Sequence, residues 1–259
     1  MDRLLDGKNA IIYGAGGLGG GVARVFAREG ARVFLAGRTL GPMDAVAADI
    51  AASGGKAEVA ILDATDEHAV DEHVRGVVAA AGSVDVSFNL VSRGDVQGTP
   101  LVDMSVEDLM RAPVTGLRSN FLTARAAARQ MIEQGSGVIL HLNSASGAGA
   151  HPGMGSTGPT DAAIESFMRY LAAEVGPRGV RVCGIWTAGV RETLVPDKLA
   201  EVDPDAQVDA AIELISGLSV LGRPPLLREV TETAAFLASD RASGITGSMT
   251  NVTAGLVLR

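Results

Sequence analysis

Apolar residues fall into two alternating patterns along this chain. Short β-branched or aliphatic runs occupy residues 10–13, 32–36, 58–62, 84–90, 137–142, 180–186 and 248–252. Continuous apolar runs of this length predict strands buried on both faces, as a parallel sheet requires. Between them, segments at 20–28, 42–53, 67–80, 105–133, 159–176 and 228–239 carry apolar residues at helical spacing. Alternation of this kind predicts βαβ units: an α/β chain with a doubly wound parallel sheet of about seven strands and helices on both faces. Pro113 is expected to split the long fourth helical region in two, because its ring removes a backbone donor and crowds the preceding turn. No linker, composition shift or repeat divides residues 1–259, so one domain is expected. The least periodic stretch, 188–225, carries Pro196, Pro204, Pro224 and Pro225 and reads as a substrate loop or lid, or as a long connection.

Composition narrows the function classes. No run reaches the ~20 apolar residues a bilayer span needs, and the N-terminus has no signal-peptide core. A net charge of −8 disfavours a nucleic-acid backbone as partner. The single cysteine, Cys183, excludes an intrachain disulfide, and four scattered histidines give no metal-ligand spacing. A cytoplasmic protein acting on a small molecule is expected. Aromatic residues are scarce at 3%, and the only tyrosines are Tyr13 and Tyr170.

Directly after the first strand comes Gly14-Ala15-Gly16-Gly17-Leu18-Gly19, running into a helix. Glycines permit a tight turn and let backbone amides approach a pyrophosphate at the positive end of the helix. Gly14, Gly16, Gly17, Leu18 and Gly19 are therefore candidate dinucleotide contacts, and the sheet is expected to be of the Rossmann type. At the end of the second strand, where NAD-binding chains place an acid, stand Arg38 and Thr39. Arg38 can pair with a 2′-phosphate, which favours NADP(H) over NAD(H).

Further motifs resemble the short-chain dehydrogenase/reductase family along essentially the whole chain. Asp63-Ala64-Thr65 resembles the third-strand acid that touches adenine, and Val84-Asp85-Val86-Ser87-Phe88-Asn89 its Asn-bearing fourth strand. Leu221-Gly222-Arg223-Pro224 and Ile245-Thr246-Gly247 are close to the family's C-terminal motifs. The resemblance implies cofactor contacts at Asp63, Ala64 and Asn89, and at Thr193 beside the nicotinamide amide. It also implies a homodimer or homotetramer packed through the helix containing Tyr170.

Departures from that family bear on the chemistry. The glycine loop is one residue short, and the family's active-site asparagine aligns near Gly116. The active-site serine falls at Ser144, but the tyrosine and lysine positions hold Thr157 and Asp161. A phenol titrates near 10 and an unactivated hydroxyl at about 16, so Thr157 faces about 8 kcal/mol more to release a proton at neutral pH. Asp161 can serve as a general base or hold ribose hydroxyls, or simply complement the dipole of a helix that begins at Pro159. Ser144 can hydrogen-bond a substrate oxygen. His151 is the loop group suited to proton transfer, although an exposed loop histidine needs no such role. His141 reads as packed within a strand, and His68 and His73 as solvated on a helix. The expected activity is NADP(H)-dependent oxidoreduction of a small organic substrate without the tyrosine–lysine pair. Alternatives are a non-redox dehydratase, cyclase or epimerase, or a nucleotide-binding pseudoenzyme.

Overall fold

The computed structural model describes residues 3–200 and 205–258; Pro204, expected in the lid, lies outside them. Among the described residues the strands are β1 (Asn9–Tyr13), β2 (Arg32–Gly37), β3 (Lys56–Ile61), β4 (Val86–Asn89), β5 (Gly137–Ser144), β6 (Val180–Thr187) and β7 (Ser248–Val252). They pair in the order β3-β2-β1-β4-β5-β6-β7, every pair parallel. The helices are α1 (Gly17–Arg28), α2 (Leu40–Ala52), α3 (Glu67–Ala81), α4 (Val106–Gln134), α5 (Thr157–Val175), α6 (Pro196–Ala200), α7 (Val208–Leu218) and α8 (Leu227–Ala238).

Consecutive strand residues point to opposite faces, and the core divides accordingly. Ile12 joins Val22, Phe26 and Val230 in the layer under α1, α2 and α8, while Ile11 and Tyr13 join Val74, Ala127 and Ile164 in the layer under α3, α4 and α5. Strand order reverses at β1, whose Tyr13 pairs with Ala36 on one side and Asn89 on the other. Ligands in open α/β sheets bind in the crevice at such a switch point. No helix of the described residues is long and apolar enough to cross a membrane.

Four expectations are corrected. Pro113 does not split the fourth helix: α4 runs unbroken from Val106 to Gln134 with Pro113 inside it. The hydrogen bond it forgoes lies near the N-terminal end, beside a largely exposed turn where water can serve the freed carbonyl. Helix α5 begins at Thr157 rather than Pro159, so Asp161 falls in its second turn, is fully buried, and does not cap the dipole. His73 is not solvated. It packs edge-on against buried Tyr13 with ring centroids 6.1 Å apart, and burial lowers its pKa. The stretch 188–225 is not wholly irregular, since α6 and α7 lie in it, neither with a buried residue.

Candidate active site

Hydrogen bonding and close packing fix the turn between β1 and α1. Gly14 adopts φ +95° and donates its N–H to Ala36 O at 2.8 Å, and a Cβ there would come within 2.7 Å of Leu90 O. A Cβ on Gly19 would collide with the carbonyl oxygen of Gly14, so strand and helix approach as closely as backbone allows. Gly16 caps α1 without a side-chain hydrogen bond, and no acid lies in the first turn. The amides of Gly17, Leu18 and Gly19 have no intrahelical acceptor by helix geometry, and Gly16 and Gly17 are exposed. This positive, uncapped end fits a pyrophosphate. Across it lies Thr193, whose methyl would stand 2.9 Å from a Cβ on Gly17 and whose hydroxyl donates to Val190 O at 2.9 Å.

Arg38 and Thr39 follow β2 and are exposed, with no ion pair to Arg38 among the described residues. Asp63 turns back on its own loop, accepting from Thr65 N at 2.8 Å and Thr65 Oγ1 at 2.7 Å. Those bonds, with smaller contributions from Arg38 and Arg118, hold its carboxyl below the usual range. Ala64 beside it is buried. Asn89 at the end of β4 accepts from Val91 N at 3.0 Å and donates to Thr123 Oγ1 at 3.3 Å. Its side chain thereby shapes the exit of β4 toward the cleft.

Ser144 ends β5, and its hydroxyl lies 2.7 Å from that of Ser146 and accepts from Ser146 N at 3.2 Å. Thr157 and Asp161 stand one turn apart on α5 and share a face. Both are buried beneath residues 93–98, which run from β4 toward α4 like a strap. Val96 N donates to Ser156 Oγ and Ser156 Oγ donates to Val96 O, each at 2.8 Å. Gln97 Nε2 donates to Thr157 Oγ1 at 3.2 Å, and Gly98 N to Gly153 O at 2.9 Å. His151 is exposed on the neighbouring loop, whereas His141 is packed in β5, as expected for a strand residue, with burial lowering its pKa to about 3.

The sequence reading missed the cation of this site. Arg93 Nη1 donates to Asp161 Oδ1 at 2.5 Å, while its Nε and Nη2 grip Asp95 at 3.2 and 2.8 Å. Asp161 Oδ2 is buried and has no hydrogen-bond partner among the described residues. Desolvation raises the Asp161 carboxyl to about 7, and the attraction of Arg93 only partly offsets it. One signal was available: an acid placed where a lysine is expected calls for a compensating cation, and Arg93 lies four residues beyond Asn89.

A parallel sheet of this order, with a glycine turn at its switch point and a serine at the end of β5, is the Rossmann-type α/β fold seen in short-chain dehydrogenase/reductase structures. Residues 14–257 match a family model described as enoyl-(acyl carrier protein) reductase. The chain is 31% identical to a 3-oxoacyl-[acyl-carrier-protein] reductase from Chlamydia muridarum, over 99% of this chain and 100% of that one. Among solved structures it resembles a short-chain type dehydrogenase/reductase from Mycobacterium ulcerans, with TM-score 0.88, 25% identity and coverage of 98% and 91% of the two chains. It also resembles a 7α-hydroxysteroid dehydrogenase complexed with NADH and 7-oxo glycochenodeoxycholic acid, with TM-score 0.87, 28% identity and coverage of 98% and 96%. The chain belongs to the short-chain dehydrogenase/reductase family.

Proposed function

We propose that this chain is an NADP(H)-dependent oxidoreductase that interconverts a carbonyl and an alcohol on a small organic molecule without the family's tyrosine and lysine. The observation that carries the proposal is the uncapped glycine turn at the start of α1 with Thr193 placed across it. The amides of Gly17, Leu18 and Gly19 would hold the pyrophosphate, aided by the space that Gly16 leaves open. Thr193 would hold the nicotinamide amide, with Asn89, Asp63 and Ala64 lining the adenosine side of the switch point. Arg38, exposed and unpaired among the described residues, would bind a 2′-phosphate by charge-assisted hydrogen bonds, which favours NADP(H).

When bound, the cofactor supplies or accepts the hydride. Ser144 Oγ, at the carboxyl end of β5, donates a hydrogen bond to the substrate oxygen. Thr157 Oγ1 is engaged as an acceptor for Gln97 and is too weak an acid to protonate a product. His151 stands exposed on its loop, so proton transfer is assigned to Asp161. The names of the relatives, reductases and dehydrogenases, favour redox chemistry over dehydration or epimerisation. The buried thiol of Cys183 suits the reducing cytoplasm, and the exposed Tyr170 face of α5 suits assembly as a homodimer or homotetramer.

Fluorescence titration with NADPH and NADH, followed by cofactor oxidation across a panel of ketones and aldehydes with the alcohol product identified, tests the proposal. NADPH should bind more tightly and be oxidised by at least one acceptor. Absence of binding by either nucleotide, or binding with no turnover on any acceptor, overturns it.

A further inference from the structure

We propose that Asp161 is the proton donor of this site and Arg93 the residue that positions it, an arginine–carboxyl pair assembled from two elements in place of a phenol and ammonium carried on one helix. The inference rests on the oxidoreductase function proposed above and supplies the acid that function needs.

Its geometry is built rather than incidental. Arg93 reaches α5 only because Gly116 of α4 has no side chain: a Cβ there would stand 2.6 Å from Arg93 Cδ and 3.2 Å from Thr160 Cγ2. Asp95 clamps the guanidinium through two hydrogen bonds from Nε and Nη2, and Nη1 turns to Asp161 Oδ1. Oδ2 is left buried without a partner, and Asn120 Oδ1 and Asn143 Oδ1, on elements packed around α5, are likewise buried acceptors without a donor among the described residues. A bare carboxylate oxygen costs much in such surroundings, and a proton on Oδ2 removes that cost. The charged groups facing Asp161 are Arg93 and Asp95 from the strap and Glu165 from the next turn of α5; β5 presents the neutral Asn143, whose Nδ2 donates to Asp161 O at 3.0 Å.

In the reductive direction a hydride adds to the carbonyl carbon and the C=O π electrons pass to oxygen. That oxygen takes the proton from Asp161 Oδ2, giving the alcohol and leaving a carboxylate opposite Arg93, which solvent reprotonates. A carboxyl poised near neutral pH is suited to this exchange. Substrate reaches Oδ2 when the outer part of the strap, Val96 to Gly98, lifts from Ser156 and Thr157 while Arg93 and Asp95 stay against α5; Gly98, at φ +82°, lies in the part that moves.

Asp161→Asn, Arg93→Met and Arg93→Lys test the pair, with NADPH affinity, the pH profile of kcat and the infrared carboxyl band as readouts. Asp161→Asn should lower kcat by about 10²–10⁴-fold while NADPH affinity changes by less than about threefold. The wild-type reductive kcat should fall as pH rises through about 7. Arg93→Met should move that limb to higher pH, because loss of the cation weakens the acid further, and Arg93→Lys should bring it part of the way back. A protonated-carboxyl band that fades between about pH 5 and about pH 9 and vanishes in Asp161→Asn should be visible in the protein without cofactor. An Asp161→Asn enzyme with full kcat and an unchanged limb, or an Arg93→Met limb that stays in place, overturns the assignment. A protein that shows the band but binds no nucleotide upholds the acid pair and overturns the oxidoreductase function; a missing band overturns the pair itself.

Discussion

Gly116 and Arg93 fit together: the side chain that α4 lacks at 116 is the room the arginine stem occupies, with a Cβ at that position standing 2.6 Å from Arg93 Cδ. Glycine costs a helix interior about 1 kcal/mol relative to alanine, and α4 bears that cost at 116 to admit the arginine stem. Gly116→Ala should therefore destabilise the protein by about 1–3 kcal/mol through overpacking, despite its better helix propensity. In an Arg93→Ala background the same change should become neutral or stabilising, by up to about 1 kcal/mol. Urea unfolding of the four proteins in this double-mutant cycle measures the coupling. Additive effects would mean that the stem and the glycine do not constrain each other.

Asp161 makes stability pH-dependent in a direction opposite to most acids. Its folded pKa is raised from 3.8 to about 7 by burial, so the folded chain holds this proton more tightly than the unfolded chain. The associated stability is fully present below about pH 4 and is lost as pH rises through about 7, an upper bound of about 4 kcal/mol. Asn at 161 has no proton to lose. The difference in unfolding free energy between Asp161→Asn and wild type should therefore shift in favour of the variant between about pH 4 and about pH 8, and a flat difference would mean that Asp161 is ionised throughout.

Much of the fold was legible because it follows from local pattern. Residues 248–252 read as a strand and form β7 with those bounds, and the apolar runs around Ile11 and Ile12 read as two-sided burial because each residue serves a different core layer. Pro113 misled because its rule concerns the hydrogen bond it removes, and an exposed helix turn tolerates that loss. His73 misled because helical spacing gave no sign that Tyr13, sixty residues earlier, would lie against it. The candidate site was legible where one segment builds its backbone, as in the glycine turn at Gly14–Gly19. It was illegible where two distant segments meet, since the Arg93–Asp161 pair spans 68 positions.

Ser156 ties the strap down with a single hydroxyl that both accepts from Val96 N and donates to Val96 O. Ser156→Ala leaves both backbone groups of Val96 without that partner, a loss of about 1–3 kcal/mol where they stay buried. Hydrogen exchange at the Val96 amide should accelerate, while amides of β4 should keep their protection. Equal acceleration in both places would mean that the strap does not open separately from the sheet.

Arg38 should set the choice of cofactor. Charge-assisted hydrogen bonds of about 1.5–3 kcal/mol correspond to a loss of roughly 10–100-fold in NADPH affinity for Arg38→Ala. NADH lacks the 2′-phosphate and should bind the variant about as well as it binds wild type. Parallel titrations check this, and an equal loss for both nucleotides would place Arg38 elsewhere than beside the 2′ position.

Gly16 and Gly19 should separate binding from folding within one turn. Gly16 has φ −65°, and a Cβ there meets nothing within 4 Å, so the backbone accepts alanine without strain. That Cβ would project beside the uncapped amides where a pyrophosphate would lie. Gly16→Ala should keep its melting temperature within about 2 °C yet lose NADP(H) affinity by about 10-fold or more. At Gly19 the obstacle is the Gly14 carbonyl, which cannot yield because Gly14 is bonded to Ala36 and pressed against Leu90. Gly19→Ala should therefore cost about 3 kcal/mol or more and lower the melting temperature before any cofactor is added. A Gly16→Ala protein that binds NADPH as tightly as wild type would place the pyrophosphate elsewhere than at the start of α1.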